Sequence, residues 1–370
     1  MDPSADLCIA YDSLQTKLSP STFIDQWYIQ DVPLTLTPQY KSVSIDASVP
    51  PIYCDLDMYN TLIKLRKVFN NINPFEQIGK SIFTYKDAVK LADIDSVHHV
   101  SGKIFTFDNK TSSQAFTFCD VAGGPGGFTQ YMQYRFPIGK GYGVTLRHAT
   151  LDWDEKNLDM TRFTTFYGTN KTGNLYNNWQ AFIDFVVERE TLGVDLVTCD
   201  AGVNNDEFLS SRLLLLQALV GIGCSKVNGN CVIRVFDTVT DVSAQIIFVL
   251  AQCFHHILIF KPVMSRPAEP ERYVICIGRK QEVQSYYQLL LGAANSYKER
   301  IYLSSVFAET LPVNFEQWLV QSNTLSINDQ IQALENTSEV EQYDRDKFLV
   351  IWNLLDTPSD RTSIFSKPMF

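Results

Sequence analysis

Phe118-Cys119-Asp120-Val121-Ala122-Gly123-Gly124-Pro125-Gly126-Gly127-Phe128 reads as an apolar strand that runs into a glycine-rich turn and then into a helix. Glycine lets a backbone take positive φ and approach a ligand closely, and the first amides of a helix have no intrahelical partner. Such a turn is a nucleotide-type site. Thr129 stands where the last glycine of a GxGxxG fingerprint would be, and Pro125 removes an amide that a pyrophosphate would use, which counts against a nicotinamide enzyme. Asp120, at the strand end, is placed to accept hydrogen bonds near the cationic amino-acid group of a ligand. The competing reading is a structural turn with a solvated aspartate.

Outward from the turn, short β-branched or aromatic runs alternate with helical segments from Asn73 onward, the pattern of an α/β chain with a parallel sheet. Strands are expected at 115–121, 141–146, 162–167, 195–201, 231–236, 256–260 and 272–277. Helices are expected at 207–221, with the apolar series Leu209, Leu213, Leu216, Leu219 and Val220, and at 242–253. Only 261–271 joins the last two strands, too short for a helical crossover, so they should pair antiparallel. This gives a seven-stranded, mainly parallel sheet with the last strand antiparallel and helices on both faces. Three regions follow: an irregular N-terminal extension at 1–72, with helical spacing from Tyr59 to Phe69; a core at 73–290; and a mostly helical C-terminal segment at 291–370, clearest at 327–334 and 345–355.

Composition narrows the class. With 45% hydrophobic and 19% charged residues the chain is globular in type, with no apolar run long enough to cross a bilayer and no leader-like opening. The eight cysteines contain no CxxC pair and read as reduced and buried, which points to an intracellular protein, nucleus and cytoplasm both open. His98-His99 and His255-His256 read as strand pairs facing opposite ways, without partners at metal spacing, so no metal site is expected. A net charge of −10 argues against holding nucleic acid by bulk electrostatics. A nucleic-acid site would need a local basic patch, for which Lys64, Arg66 and Lys67 are one candidate, or a protein partner that supplies basic surface.

The stretch Asp120–Phe128 resembles motif I of the FtsJ-like methyltransferases, and three further stretches extend the match. They are Asn73-Pro74-Phe75-Glu76 with Ala88 through Asp95; Val197-Thr198-Cys199-Asp200-Ala201-Gly202; and Phe260-Lys261-Pro262 through Ser265-Arg266-Pro267-Ala268 to Glu271-Arg272-Tyr273. Together they resemble the cap-1 mRNA methyltransferases in particular, and the similarity runs from about Asn73 to Gly278. The resemblance implies a Rossmann-like S-adenosylmethionine methyltransferase fold, S-adenosylmethionine held at Asp120, Gly123, Gly124, Pro125, Gly126, Gly127 and Phe128, and capped mRNA as the partner.

The family transfers a methyl group to a ribose 2′-hydroxyl with a Lys-Asp-Lys-Glu tetrad. Residue by residue the match puts the first lysine at Lys90, the aspartate at Asp200 and the glutamate at Glu271. At the second lysine the chain departs and presents Arg234, whose guanidinium stays charged and is not expected to act as a base. Arg234 can still hold a ribose by hydrogen bonds and pair with Asp200 and Glu271. Taken singly, each of the four has an ordinary structural reading as a surface lysine, a strand-end cap, an ion-pair member and a loop acid. For the adenine amino group the chain offers Asn174, and Asp152 or Asp154 stand where a ribose contact is expected. The arginine leaves a second function open: a methyltransferase-like RNA-binding or structural subunit without activity.

Overall fold

In the computed structural model, residues 27–28, 36–44, 49–68, 83–105, 109–297, 301–335 and 352–354 are described. In chain order the strands are β1 (Trp27–Tyr28), β2 (Pro38–Ser44), β3 (Thr117–Val121), β4 (Lys140–Val144), β5 (Phe163–Phe166), β6 (Val194–Cys199), β7 (Ser225–Val235), β8 (Phe254–Phe260), β9 (Arg272–Arg279) and β10 (Ile301–Phe307). The helices are α1 (Leu56–Val68), α2 (Asp87–His98), α3 (Gly127–Arg135), α4 (Leu175–Val187), α5 (Glu207–Cys224), α6 (Asp241–Cys253), α7 (Gln284–Ser296) and α8 (Val313–Glu335).

The main sheet runs β1-β8-β9-β7-β6-β3-β4-β5. From β5 to β7 neighbours are parallel, while β9 enters between β7 and β8 and is antiparallel to both. The seven expected strands are therefore present, with the last one reversed. β1, a two-residue strand on the outer edge of β8, is an eighth that the sequence reading did not include. Parallel strands that follow one another in the chain need crossovers, and α3, α4, α5 and α6 supply those after β3, β5, β6 and β7.

Two core clusters line the two faces, one holding residues of α4 to α7 and the other those of α2 and α3. Side chains alternate along a strand, so one parity serves each face. Cys119, Val197, Ile233 and Val274 belong to the first cluster, whereas Phe118, Leu196, Val232, Tyr273 and Ile275 belong to the second. The polar residues of that second parity, Asp120, Asp200, Arg234 and Glu271, consequently turn toward the face that carries α2 and α3, at the carboxyl ends of β3, β6 and β7 and the start of β9.

Some expectations change. By length and composition α5 is apolar enough to cross a membrane, but 72% of it is buried inside the protein, where it packs on α4, α6 and β7 as a core helix. His98 and His99 end a helix rather than lie in a strand, and His99 takes the left-handed conformation at φ 50° as its cap. The segment after Gly278 is not helical throughout, because β10 pairs antiparallel with β2 in a separate two-stranded sheet. The helix expected at 345–355 lies outside the described residues apart from Trp352, Asn353 and Leu354, which form a turn and not a helix. The motif Asn73–Glu76 and Cys8 also lie outside the described residues. The other seven cysteines are free.

Candidate active site

α2 begins at Asp87, one turn before Lys90, and delivers both side chains to the open end of the sheet. Lys90 Nζ lies 2.8 Å from Glu271 Oε1 and 3.0 Å from Asp87 Oδ1. On the other side of Glu271, Arg234 Nη2 lies 2.7 Å from Oε2, and Ser265 Oγ donates to Oε1 at 2.7 Å. Arg234 Nε stands 3.8 Å from Asp200 Oδ1, and its Nη2 donates to Asn205 Oδ1 at 3.3 Å. The hydroxyl of Tyr273 donates to Asp200 Oδ1 at 2.9 Å. The structure thus brings Lys90, Glu271, Arg234 and Asp200 into one chain of contacts. Its depth is uneven: Lys90 and Glu271 side chains are 8% and 4% exposed, Arg234 and Asp200 20% and 16%.

Charges in this group set one another's ionisation. Burial works against the charge of Lys90, but Glu271, Asp87 and Asp200 outweigh it and hold the ammonium above its ordinary value. Burial raises Glu271 as well, yet Lys90 and Arg234 dominate and take it down to about 2. Arg234 follows Lys90, with burial opposed and outweighed by Asp200 and Glu271. Asp200 differs, because burial prevails over Arg234 and Lys90 and lifts it to about 6. Both cations therefore stay protonated at neutral pH.

The glycine turn starts where β3 ends, and its part from Ala122 to Pro125 is half-exposed. Asp200 is tied to it by its backbone, since Asp200 N donates to the Val121 carbonyl at 2.9 Å. The glycines are packed closely by the protein itself. A Cβ at Gly123 would meet Asp120 Oδ1 at 2.0 Å, at Gly124 the Leu151 carbonyl oxygen at 1.9 Å, and at Gly127 the Ala88 nitrogen at 2.9 Å. Gly126 stands at φ +118°, which side chains rarely adopt, and Leu158 lies 2.7 Å from its Cβ position. Pro125 accepts from Asp154 N at 3.0 Å, and buried Phe128 faces Tyr273 with ring centroids 6.1 Å apart.

Asp120 also turns inward. Its Oδ2 accepts from Thr129 N at 3.2 Å and Thr129 Oγ1 at 2.7 Å, and its Oδ1 from Thr198 Oγ1 at 3.1 Å. Burial lifts it to about 7 against these hydrogen bonds. It fastens α3 to β3 and β6 and, fully buried, does not reach the turn's open face. Asn174 caps α4, its side-chain oxygen accepting from Tyr176 N at 3.0 Å, so the oxygen expected to read adenine is already engaged. Asp152 accepts from Tyr167 OH at 2.6 Å and Trp153 N at 2.9 Å; Asp154 accepts from Tyr85 OH at 2.6 Å. Both hold loops. In the basic trio, Arg66 is bound bidentately to Asp237, at 2.8 and 2.9 Å, which leaves Lys64 and Lys67 as its exposed members. Among the described residues no group of three or more His, Cys, Asp or Glu is arranged to hold a metal.

Four contributors were missed: Asp87, Ser265, Asn205 and Tyr273. Asp87 was legible as an acid three residues before Lys90 on one helix face, and Tyr273 as the residue two beyond Glu271 on the same strand face. Ser265 and Asn205 arrive on loops, which carry no periodicity.

A mainly parallel sheet with one strand reversed between β7 and β8, and a glycine turn at the carboxyl ends of its middle strands, defines a Rossmann-like methyltransferase. The profile of the FtsJ-like methyltransferases matches residues 84–279, more than half of the chain, and the chain belongs to that family. The cap-specific mRNA (nucleoside-2′-O-)-methyltransferase 1 of Drosophila melanogaster is 30% identical over 297 residues, 72% of this chain and 37% of its own. Its counterpart in Danio rerio is 28% identical over 354 residues, 84% of this chain and 42% of its own; that of Caenorhabditis elegans is 32% identical over 265, 62% and 28%. The chain spans less than half the length of these relatives.

Proposed function

We propose that the chain transfers a methyl group from S-adenosylmethionine to a ribose 2′-hydroxyl of RNA in the 5′ cap region. The observation that carries this is the contact chain Lys90–Glu271–Arg234–Asp200 beside the turn after β3. Open α/β sheets bind ligands outside the carboxyl ends of their strands, and the half-exposed Ala122–Pro125 lies there with exposed Leu146 and Leu151 alongside. Gly124 N is tied to Thr145 Oγ1 at 3.3 Å, and Thr145 Oγ1 donates to the Leu151 carbonyl at 3.0 Å, so turn and apolar lip are hydrogen-bonded into one edge. These residues offer partly exposed backbone and apolar side chains to a cofactor at the carboxyl end of β3. Bound there, S-adenosylmethionine supplies a methyl group on a sulfonium whose departure leaves a neutral sulfide.

Lys90 and Glu271 are nearly closed off and act as the support, while Arg234 and Asp200 are the members with access. Arg234, braced by Glu271, presents hydrogen-bond donors that align a ribose, and alignment is a large part of what a displacement of this kind needs. In this reading Arg234 takes the tetrad's second lysine place, and among the described residues no contact favours the inactive-subunit reading. Labelled S-adenosylmethionine offered with capped and uncapped RNA tests the proposal. Label in capped RNA alone supports cap-dependent methyl transfer, label in both removes the cap, label on a base removes the ribose, and bound cofactor with label in neither removes the reaction.

A further inference from the structure

We propose that Asp200 accepts the proton of the ribose hydroxyl, the task that the arginine at position 234 cannot perform. This rests on the reaction proposed above. Of the two carboxylates in the contact chain, Glu271 is spent: Lys90 and Ser265 occupy Oε1 and Arg234 occupies Oε2. Asp200 is not. Its contacts with Tyr273 and Arg234 both fall on Oδ1, and among the described residues Oδ2 accepts no hydrogen bond. The groups that face it are Arg234 from β7, Tyr273 and Glu271 from β9 and the loop before it, Lys90 and Asp87 from α2, and buried Asp120 from β3. Both cations among them stay protonated, so neither is a base, and Asp120 is enclosed by Thr129 and Thr198.

The step balances without a further reactant. The ribose oxygen bonds to the methyl carbon as the methyl–sulfur bond breaks, the electron pair stays on sulfur, and the hydroxyl proton passes to Asp200 Oδ2. A carboxylate is weak beside an intact hydroxyl, but as the methyl–oxygen bond forms that proton becomes strongly acidic, so a late transfer suits it. Arg234 holds the oxygen while Tyr273 fixes the carboxylate.

Single-turnover transfer at saturating RNA and cofactor, followed from pH 5 to 9.5, tests this in the wild type, Tyr273→Phe and Asp200→Asn. The wild-type rate should rise to a plateau through a midpoint near 6, where burial places Asp200. Removing the tyrosine hydroxyl takes a hydrogen bond from the charged carboxylate and should move the midpoint up by about half a unit or more. Asp200→Asn should lose about 100-fold or more and show no rise near pH 6, while still binding cofactor. A wild-type rate that is flat to pH 8 or rises only near 9, a midpoint unmoved in Tyr273→Phe, or an Asp200→Asn enzyme that keeps the same rise would each overturn the assignment. A wild type that binds cofactor and transfers nothing defeats the proposed reaction itself, a result distinct from these.

Discussion

Arg234 sits between two carboxylates, its Nη2 2.7 Å from Glu271 Oε2 and its Nε 3.8 Å from Asp200 Oδ1. The arginine lies within the expected group, and its partners are those its strand parity allows. Its truncation to alanine would leave Glu271 with Lys90 and Ser265 only and remove the donors that align the ribose; transfer should fall on the order of 100-fold with cofactor affinity little changed. A loss confined to KM would show that Arg234 only binds RNA. Asp120 looked like a ligand contact and is an internal brace, because hydrogen-bond partners such as Thr129 and Thr198 are decided in three dimensions and not by position on a strand. Its folded pKa of about 7 lies above the free value near 3.9, so the folded state holds the proton more tightly. That stabilisation is complete below about pH 4 and is lost as pH rises through about 7. Urea unfolding should therefore show the wild type losing stability from pH 5 to 8, and Asp120→Asn losing on the order of 1–4 kcal/mol less. Equal pH slopes in the two proteins would contradict this.

At the scale of elements, the strands were legible because each is a short apolar run bounded by turn residues, and the brevity of 261–271 was enough to reverse β9. Not legible was the pairing of β2 with β10, since the partners are separated by the whole core and neither run alternates cleanly. Nor was the use made of α1, whose basic end reads as a solvated face. Arg66 in fact reaches across to the loop after β7, where Asp237 takes two of its hydrogen bonds, while Arg272 fixes the same loop through the carbonyls of Phe236 and Asp237. This loop follows directly on the strand that carries Arg234, so α1 steadies the site from outside it. Arg66→Ala leaves a nearly buried carboxylate without its cation and should cost about 3 kcal/mol, read from the urea midpoint. If the midpoint stays put, the pair contributes nothing and α1 is held by its apolar contacts alone.

For the whole molecule, segments before and after the central α/β core pack on each other and complete its hydrophobic clusters, Tyr53, Leu303, Val306, Phe315 and Leu319 in one and Trp352 and Leu354 in the other. β2 pairs with β10, Leu62 of α1 packs with Ile327 and Leu334 of α8, and the turn at Trp352 is held by Asp93 on α2 and by Arg135 on α3. Cutting the chain after residue 300 would uncover Phe248, whose ring lies 5.1 Å from that of Phe315, and free Gln245 from the backbone of Val306. The shortened chain should lose the cooperative thermal transition of the full one. An unchanged transition would mean the terminal segments are attachments. Mass analysis of nuclease-digested capped RNA, after incubation with S-adenosylmethionine and either the wild type or Lys90→Met, reads what this whole arrangement does. The wild type should leave a 2′-O-methylated nucleoside beside the cap and the variant none. Base methylation, or the same ribose methylation from both proteins, would contradict this.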